Sequence, residues 1–447
     1  MRERSYSPVW VGAIALVLVV TAVAVGWRLV NGDGSLLRDV AMQKTRITPN
    51  ADGDEDAARL AYTLSRNATV SIYFENAAGE RFYFRREKPR GVGDYEVDFS
   101  GVVDGYLLPG ETVAGEVQAR LLQDGAYTWT IEATDMDGDT ERQTGALTIA
   151  DADPLLPEMR TFSIYPDTFT PNRDGVGDRT QIQFFLAKEV EQLRVYVEGP
   201  EGEEYPVPEQ EQAVPARQAG WHTYDYEGGV DDGAQPPPDG TYPVVAVAQD
   251  LEGQRVVQRG TLTIALGGVP RAQVFPPPTG DTLRLSGTAV PICNTLYFTV
   301  TVENYGTTPI RTSGPPPGTV YDSDWNYNTL GWHTESGVFR MAIGYENEIT
   351  NYPYRWAVGG AGDLQEIDGY SYLMPGARAV ITGGVRLTNV FGDRNPQPLW
   401  AGLIHEDVEI SEFNNRVDPQ QVLVDLPDPA HVPDCEPRVP PQKPETE

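Results

Sequence analysis

Two short acidic loops contain the residues best suited to bind a metal ion. "ITPNADGDED" spans 47–56 and "FTPNRDGVGD" spans 169–178. Calcium takes about six to eight oxygen ligands, and a glycine lets a loop wrap tightly enough to supply several of them. The candidate calcium ligands are the oxygen-bearing side chains Asn50, Asp52, Asp54 and Asp56 in the first loop and Asn172, Asp174 and Asp178 in the second.

The same two loops also have a purely structural interpretation. Asn and Asp side chains accept hydrogen bonds from nearby backbone N–H groups in Asx-turns, and Gly53 and Gly175 could adopt a positive φ. Neither loop has the late glutamate that completes an EF-hand. Calcium binding is therefore one of two interpretations, and no other cofactor is expected.

A second candidate site is the concentration of aromatic residues between 321 and 356. Aromatic rings beside Asp, Asn and Arg side chains can stack on sugars, and they can equally form a protein contact surface. Sandwich cores also bury such rings, so a structural role is the alternative. The candidate ligand-binding residues are Trp325, Tyr327, Trp332, Tyr354 and Trp356.

The sequence offers no recognisable catalytic motif. His222, His333, His405 and His431 are scattered, with neither a His-x-x-x-His pair nor a Gly-x-Ser-x-Gly elbow. We therefore expect a protein that is not an enzyme. A hydrolase with paired carboxylates is a remote alternative, because such pairs form in space and leave no sequence pattern.

Charge and cysteine content narrow the possible partners. The formal net charge of −31 repels phosphate backbones, so nucleic-acid binding is not expected. Cys293 and Cys435 are too few for a disulfide scaffold or a structural zinc site. Outside the cytoplasm we expect the two cysteines to form a disulfide that ties a proline-rich tail to the third domain. Two free thiols are the alternative.

An apolar segment near the N-terminus predicts a membrane anchor. Residues 9–27 are uncharged, with Arg2 and Arg4 before them and Arg28 after them. Roughly twenty apolar residues span a bilayer as a helix, and the short basic leader favours an inside N-terminus. We expect a single-pass protein of the cell membrane with most of the chain outside the cytoplasm. Secretion after signal-peptide cleavage is the alternative.

After the anchor, apolar residues alternate with a period of two, which predicts an all-β chain. Two stretches match along their length, from the acidic loops through strands such as "RLAYTLS" and "QIQFFLA" to the endings "GALTIA" and "GTLTIA". The copies are offset by 171 − 49 = 122 residues at their start and by 260 − 145 = 115 at their end. The first copy therefore contains a seven-residue insertion, which we expect in a surface loop. We interpret the pattern as a tandem duplication of one β-sandwich.

The predicted fold is three Ig-like or fibronectin-III-like β-sandwiches in tandem after one transmembrane helix. The predicted boundaries are 1–30 for the leader and anchor, 31–43 for a linker, 44–153 and 154–266 for the two repeats, 267–282 for a Pro/Gly linker, 283–427 for the third sandwich and 428–447 for a Pro-rich tail.

Each repeat resembles the Ig-like domain of the flagellar hook-capping family. The resemblance rests on Pro49-Asn50, Ile72-Tyr73, Phe99-x-Gly101 and Gly125-x-Tyr127, matched in the second copy by Pro171-Asn172, Val195-Tyr196, Tyr226-x-Gly228 and Gly240-x-Tyr242. That family is structural or interacting, so the resemblance implies no catalytic residue. The third unit resembles the bacterial cell-adhesion-related Ig-like domain in "TVTVENYG", "PGARAVITG" and "ISEFNNRV", whereas residues 313–368 depart from its pattern.

These observations predict a membrane-anchored, extracytoplasmic structural or interaction protein. An acidic stalk would present an aromatic-rich third domain for adhesion or envelope assembly, with an envelope protein or a surface polysaccharide as partner. A carbohydrate-binding surface module is the alternative function.

Overall fold

The computed structural model describes residues 34–211, 213–391, 394–428 and 431–444. These ranges are all-β, which confirms the predicted fold class at that level. Their helical segments are short 3-10 turns at Val230–Asp232, Tyr327–Leu330 and Glu412–Asn414. Across the described ranges, no helix has the length and apolar character needed to cross a membrane. The anchor predicted at 9–27 lies outside the described residues.

The first repeat packs a three-stranded sheet against a five-stranded sheet. Its strands are β1 (Leu37–Met42), β2 (Arg46–Ile47), β3 (Ala58–Leu64), β4 (Ala68–Glu75), β5 (Arg81–Arg90), β6 (Gly93–Phe99), β7 (Val102–Asp104), β8 (Glu116–Leu121), β9 (Gly125–Asp135) and β10 (Thr140–Ile149). One sheet has the order β1-β3-β6 and the other β2-β10-β9-β4-β5. Alternating side chains of both sheets form one buried core.

The second repeat has the same plan. Its strands are β11 (Met159–Tyr165), β12 (Thr168–Phe169), β13 (Thr180–Leu186), β14 (Gln192–Glu198), β15 (Glu204–Pro206), β16 (Gly220–Tyr226), β17 (Gly240–Gln249) and β18 (Arg255–Ile264). The order β11-β13-β16 repeats β1-β3-β6, and β3 and β13 bury the same alternate positions.

The third unit is larger. Its strands are β19 (Ala272–Val274), β20 (Arg284–Leu285), β21 (Ala289–Pro291), β22 (Thr295–Asn304), β23 (Ile310–Thr312), β24 (Val320–Asp322), β25 (Phe339–Tyr345), β26 (Tyr354–Ala357), β27 (Gln365–Ile367), β28 (Tyr370–Leu373), β29 (Arg378–Arg386), β30 (Gln397–His405) and β31 (Val417–Asp425). A five-stranded sheet centred on β22 and β29 packs against an eight-stranded sheet centred on β30 and β25.

Both predicted linkers are partly strand, so those boundaries are wrong. β1 lies in the predicted linker 31–43 but pairs with β3, and Leu36 and Leu37 are buried in the first core. A bulge with Asp39 at φ 48° breaks the alternation that would have revealed this strand. β19 lies in the predicted linker 267–282 but pairs with β22 of the third unit, despite its Pro-rich flanks.

The insertion in the first repeat does not form a surface loop. Its strand β8 pairs antiparallel with β18, so that β8 and β7 extend the sheet of the second repeat. Val113 and Val117 pack against the second core. The free edge at the start of β18 explains the difference, because β12 pairs only with the other end of β18, and an exposed sheet edge accepts an added strand.

Polar contacts complete the junction between the two repeats. The Gln254 side chain accepts a hydrogen bond from Leu121 N at 3.3 Å and donates to the carbonyls of Asp153 and Leu155 at 3.2 and 3.0 Å. Lys188 Nζ lies 2.7 Å from Asp153 and 3.0 Å from Asp250. Because Gln254 and Asp250 are fully buried, the two repeats form a fixed joint rather than a flexible tether.

The C-terminal tail lies against the third unit. Cys293 and Cys435 form a disulfide that joins residues 142 apart in sequence. Farther along, Arg438 Nη1 lies 3.2 Å from an oxygen of Asp322, and Lys443 N donates to Leu330 O at 2.9 Å. These contacts hold the described part of the tail on the surface of the domain.

Candidate functional site

The two acidic loops have the same internal hydrogen bonds. Asp56 accepts from the N–H groups of Asn50, Ala51 and Gly53 at 3.3, 3.1 and 2.8 Å. In the second loop, Asp178 accepts from Asn172, Asp174 and Gly175 at 3.3, 3.2 and 2.7 Å. Asn50 and Asn172 each accept from the N–H two residues ahead, which is the Asx-turn geometry.

These contacts match the structural-turn interpretation of the loops. In each loop the last aspartate turns inward to the backbone. Among the described residues, no three His, Cys, Asp or Glu side chains are grouped so that they could hold a metal ion. Calcium binding by Asn50, Asp52, Asp54, Asp56, Asn172, Asp174 and Asp178 stays a prediction.

The environments of the two loops are different. Asp52 and Asp54 are exposed, whereas Asn172 and Asp174 are buried, at 1% and 4% exposure. Tyr372 of the third unit donates its hydroxyl hydrogen to Asp174 at 2.9 Å. Burial raises the pKa of both Asp174 and Asp178. The second loop is therefore part of the joint between the second repeat and the third unit.

Two further hydrogen bonds tie this joint together. The His405 Nε2 atom lies 2.8 Å from the Arg173 carbonyl, and the Thr308 hydroxyl donates to the Leu266 carbonyl at 2.7 Å. The ring of His405 stacks on Phe339 with centroids 4.1 Å apart. Burial lowers the pKa of His405 to about 4, because the charged imidazolium is poorly solvated there.

We expect the joint to weaken in mild acid through His405. Its folded pKa of about 4 lies below the ordinary value of 6.5, so its contribution is complete above pH 6.5 and is lost as the pH falls towards 4. At pH 4 the loss is about 3 kcal/mol. Asp174 and Asp178, with raised pKa values, act in the opposite direction, so wild-type protein must be compared with His405→Gln. Urea unfolding at pH 7 and pH 4 measures the difference, and equal pH dependence of both proteins would contradict the assignment.

Most of the predicted aromatic platform belongs to the hydrophobic core, so that prediction is wrong for three residues. Tyr354 and Trp356 are fully buried and Tyr327 is 6% exposed. Trp356 packs edge-on against Phe298 and Tyr321, because β26 places it between the two sheets. Rings in these positions cannot stack on a sugar.

Trp325 and Trp332 are partly exposed, and the C-terminal tail lies against both. The Arg438 guanidinium lies 5.7 Å from the Trp325 ring centre, and Lys443 Nζ lies 4.7 Å from that of Trp332. Both distances suit cation–π contacts. Sequence analysis missed these contacts, since the tail and the rings are about a hundred residues apart.

A wide cleft in the third unit contains one of the predicted residues, Trp332. Trp332 and Tyr370 line it, together with Arg311, Glu335 and Lys443. Tyr370 is 39% exposed and its ring lies over the Arg311 guanidinium at 5.1 Å. Glu335 accepts from Arg311 at 2.8 Å and from the Ser313 hydroxyl at 3.1 Å. The cleft therefore combines rings with fixed polar groups.

Sequence reasoning found Trp332 but missed the other cleft residues. Arg311, Glu335 and Tyr370 lie on separate segments, and each looks like an ordinary surface residue of a strand or turn. The one available signal was the departure of residues 313–368 from the adhesion-related pattern, since most of the cleft lies in or beside that stretch.

A cluster of buried charges lies beside the joint between the second repeat and the third unit. Glu406 accepts from Arg340 at 3.0 Å and from Arg355 at 2.8 Å, and all three side chains are buried. The Arg355 guanidinium also lies 4.0 Å from the ring centre of Tyr327. Burial lowers the pKa of Arg340. Tyr327, predicted to bind a ligand, instead covers these charges.

Fold and junctions together define an all-β tandem array of sandwiches. No known family model matches the chain, and no curated protein matches it. Among solved structures, a tetra-tandem repeat from the extending region of a large adhesion protein matches at 13% identity and a TM-score of 0.19, over 81% of each chain.

Two other solved structures show a similar degree of likeness. A Ca²⁺-stabilized adhesin with which an Antarctic bacterium binds ice matches at 12% identity and a TM-score of 0.21, over 79% of this chain and 74% of that chain. SGBP-B of the Bacteroides ovatus mixed-linkage glucan utilization locus, in complex with a mixed-linkage heptasaccharide, matches at 11% identity and a TM-score of 0.14. The match covers 86% of this chain and 65% of that chain. At these scores the likeness says nothing about what this chain binds.

Proposed function

We propose that this chain is an extracytoplasmic structural and interaction protein that acts in adhesion or envelope assembly. Residues 9–27 would anchor it in the cell membrane, and the two repeats would form an acidic stalk that presents the third unit. The observation that supports this function is that both junctions, between the two repeats and between the second repeat and the third unit, consist of specific buried contacts. A stalk must hold its distal domain at a set distance, which a flexible tether cannot do.

The two junctions are formed by different kinds of contact. Between the repeats, the inserted strand β8 adds to the edge of β18 and buried Gln254 bridges both units. Between the second repeat and the third unit, the acidic loop is buried under Tyr372 and His405. The net charge of −31 would keep neighbouring stalks apart.

Surface exposure and attachment test this proposal. We expect protease added outside intact cells to cleave the full-length protein, and we expect cells lacking the chain to attach less well to surfaces coated with their own envelope. Re-expression of the wild-type chain should restore attachment, and so should Glu189→Gln, which alters an exposed position of the stalk. A protein that external protease cannot reach, in cells with unchanged attachment, would refute the proposed function.

A further inference from the structure

We propose that the cleft in the third unit binds a neutral saccharide. We call the cleft residues Trp332, Tyr370, Arg311, Glu335 and Ser313 the aromatic cleft. This inference rests on the proposed function and names the class of ligand that the third unit would take.

The rings of the aromatic cleft are its first recognition element. Saccharide rings have apolar C–H faces that pack on aromatic side chains, while their hydroxyl groups need hydrogen-bond partners. Trp332 is partly exposed and Tyr370 is 39% exposed. The Arg311 guanidinium lies 5.1 Å from the Tyr370 ring centre, and Lys443 Nζ lies 4.7 Å from that of Trp332. The cleft therefore offers two rings, each with a cation beside it.

Polar groups stand beside the rings. Glu335 is held by Arg311 Nη1 at 2.8 Å and by Ser313 Oγ at 3.1 Å, which leaves carboxylate lone pairs free to accept from hydroxyl groups. Arg311 lines the cleft, and its guanidinium is held by Glu335 at 2.8 Å and by the Ser336 carbonyl at 2.7 Å.

Several glycines form part of the cleft wall, where no side chain projects from the backbone. Gly314, Gly359, Gly360 and Gly369 line it, so a ligand ring can approach the backbone closely. At Gly359, with φ +111°, any larger residue would also be strained.

Electrostatics favours a neutral ligand. Arg311 is neutralised by Glu335, and the whole chain carries a net charge of −31. A polymer bearing carboxylate or phosphate groups would be repelled on approach. A neutral glycan is not repelled on approach, and it can contact the two rings, the Glu335 carboxylate and the Arg311 guanidinium.

Isothermal titration calorimetry on the full-length protein tests the proposal with cellohexaose, maltohexaose and chitohexaose as probes. We expect at least one hexasaccharide to bind, and we expect Tyr370→Ala and Trp332→Ala each to weaken that binding by about tenfold or more. Tyr297→Ala is the matched control, because Tyr297 is an exposed ring of the third unit, 54% exposed, that does not line the cleft. We expect it to stay within about twofold of wild type.

Two results would overturn the saccharide site. One is that none of the three hexasaccharides binds the wild-type protein. The other is that Tyr370→Ala, an exposed substitution that should not disturb folding, binds as tightly as wild type. In either case protease accessibility and cell attachment still report on the stalk, so the failure of the ligand assignment is distinguishable from the failure of the proposed function.

Discussion

Replacing Glu406 by Gln should lower the free energy of unfolding of the third unit by about 3–5 kcal/mol. In the folded protein its Oε1 atom faces Arg340 Nη1 at 3.0 Å and Arg355 Nη1 at 2.8 Å. Its other oxygen accepts from Glu335 N at 3.2 Å. The substitution keeps the shape of the side chain but leaves two buried guanidinium groups without a counter-charge.

Urea unfolding followed by tryptophan fluorescence measures this effect, because the third unit contains Trp325, Trp332, Trp356 and Trp400. Asp407→Asn is the matched control, since Asp407 is the exposed neighbour of Glu406 and should change the free energy by less than about 0.5 kcal/mol. A loss below about 1 kcal/mol for Glu406→Gln would mean that water reaches and solvates the two arginines.

Replacing Gly175 by Ala should open the joint between the second repeat and the third unit. Gly175 has φ +80°, and a Cβ there would overlap the carbonyl oxygen of Ser336 across the joint. The equivalent Gly53 in the first repeat has φ +89° and no heavy atom within 4 Å of such a Cβ. Gly53→Ala therefore reports the backbone strain alone, about 1 kcal/mol. The clash in Gly175→Ala should cost about 1–3 kcal/mol more.

Small-angle scattering and hydrogen exchange distinguish the two variants. We expect Gly175→Ala to increase the radius of gyration and to speed exchange of the Gly337 amide, which donates to Glu406 O at 2.9 Å, by about tenfold or more. Gly53→Ala should leave both quantities at their wild-type values. The same scattering profile for all three proteins would show that the third unit adapts to the added methyl group without separating.

The matched pair Gly53 and Gly175 also shows that the two similar loops lie in different environments. Both loops keep the same short-range hydrogen bonds, down to the final aspartate that holds three N–H groups. The first loop is exposed, whereas the second contacts the third unit. The same local sequence thus faces solvent in one copy and forms half of a joint in the other.

Sequence alone was sufficient for features with short-range causes. The alternation in β3 and β13 revealed which side chains are buried, and the Asn and Asp spacing of the loops predicted their turns. In these cases the pattern or the interacting groups lie within a few residues of each other, so one short stretch of sequence contains all the information needed for the prediction. The bulge at Asp39 shows the limit, because one irregular residue concealed β1.

The tertiary structure decided everything that depends on which distant segments meet. The inserted strand β8 pairs with β18 of the next repeat, Trp356 is buried while Trp332 lines a cleft, and Tyr372 finds Asp174 from 198 residues away. Local patterns cannot distinguish these outcomes, because a free strand edge, an aromatic ring or a carboxylate looks the same in sequence whether its partner comes from solvent, from the core or from another domain.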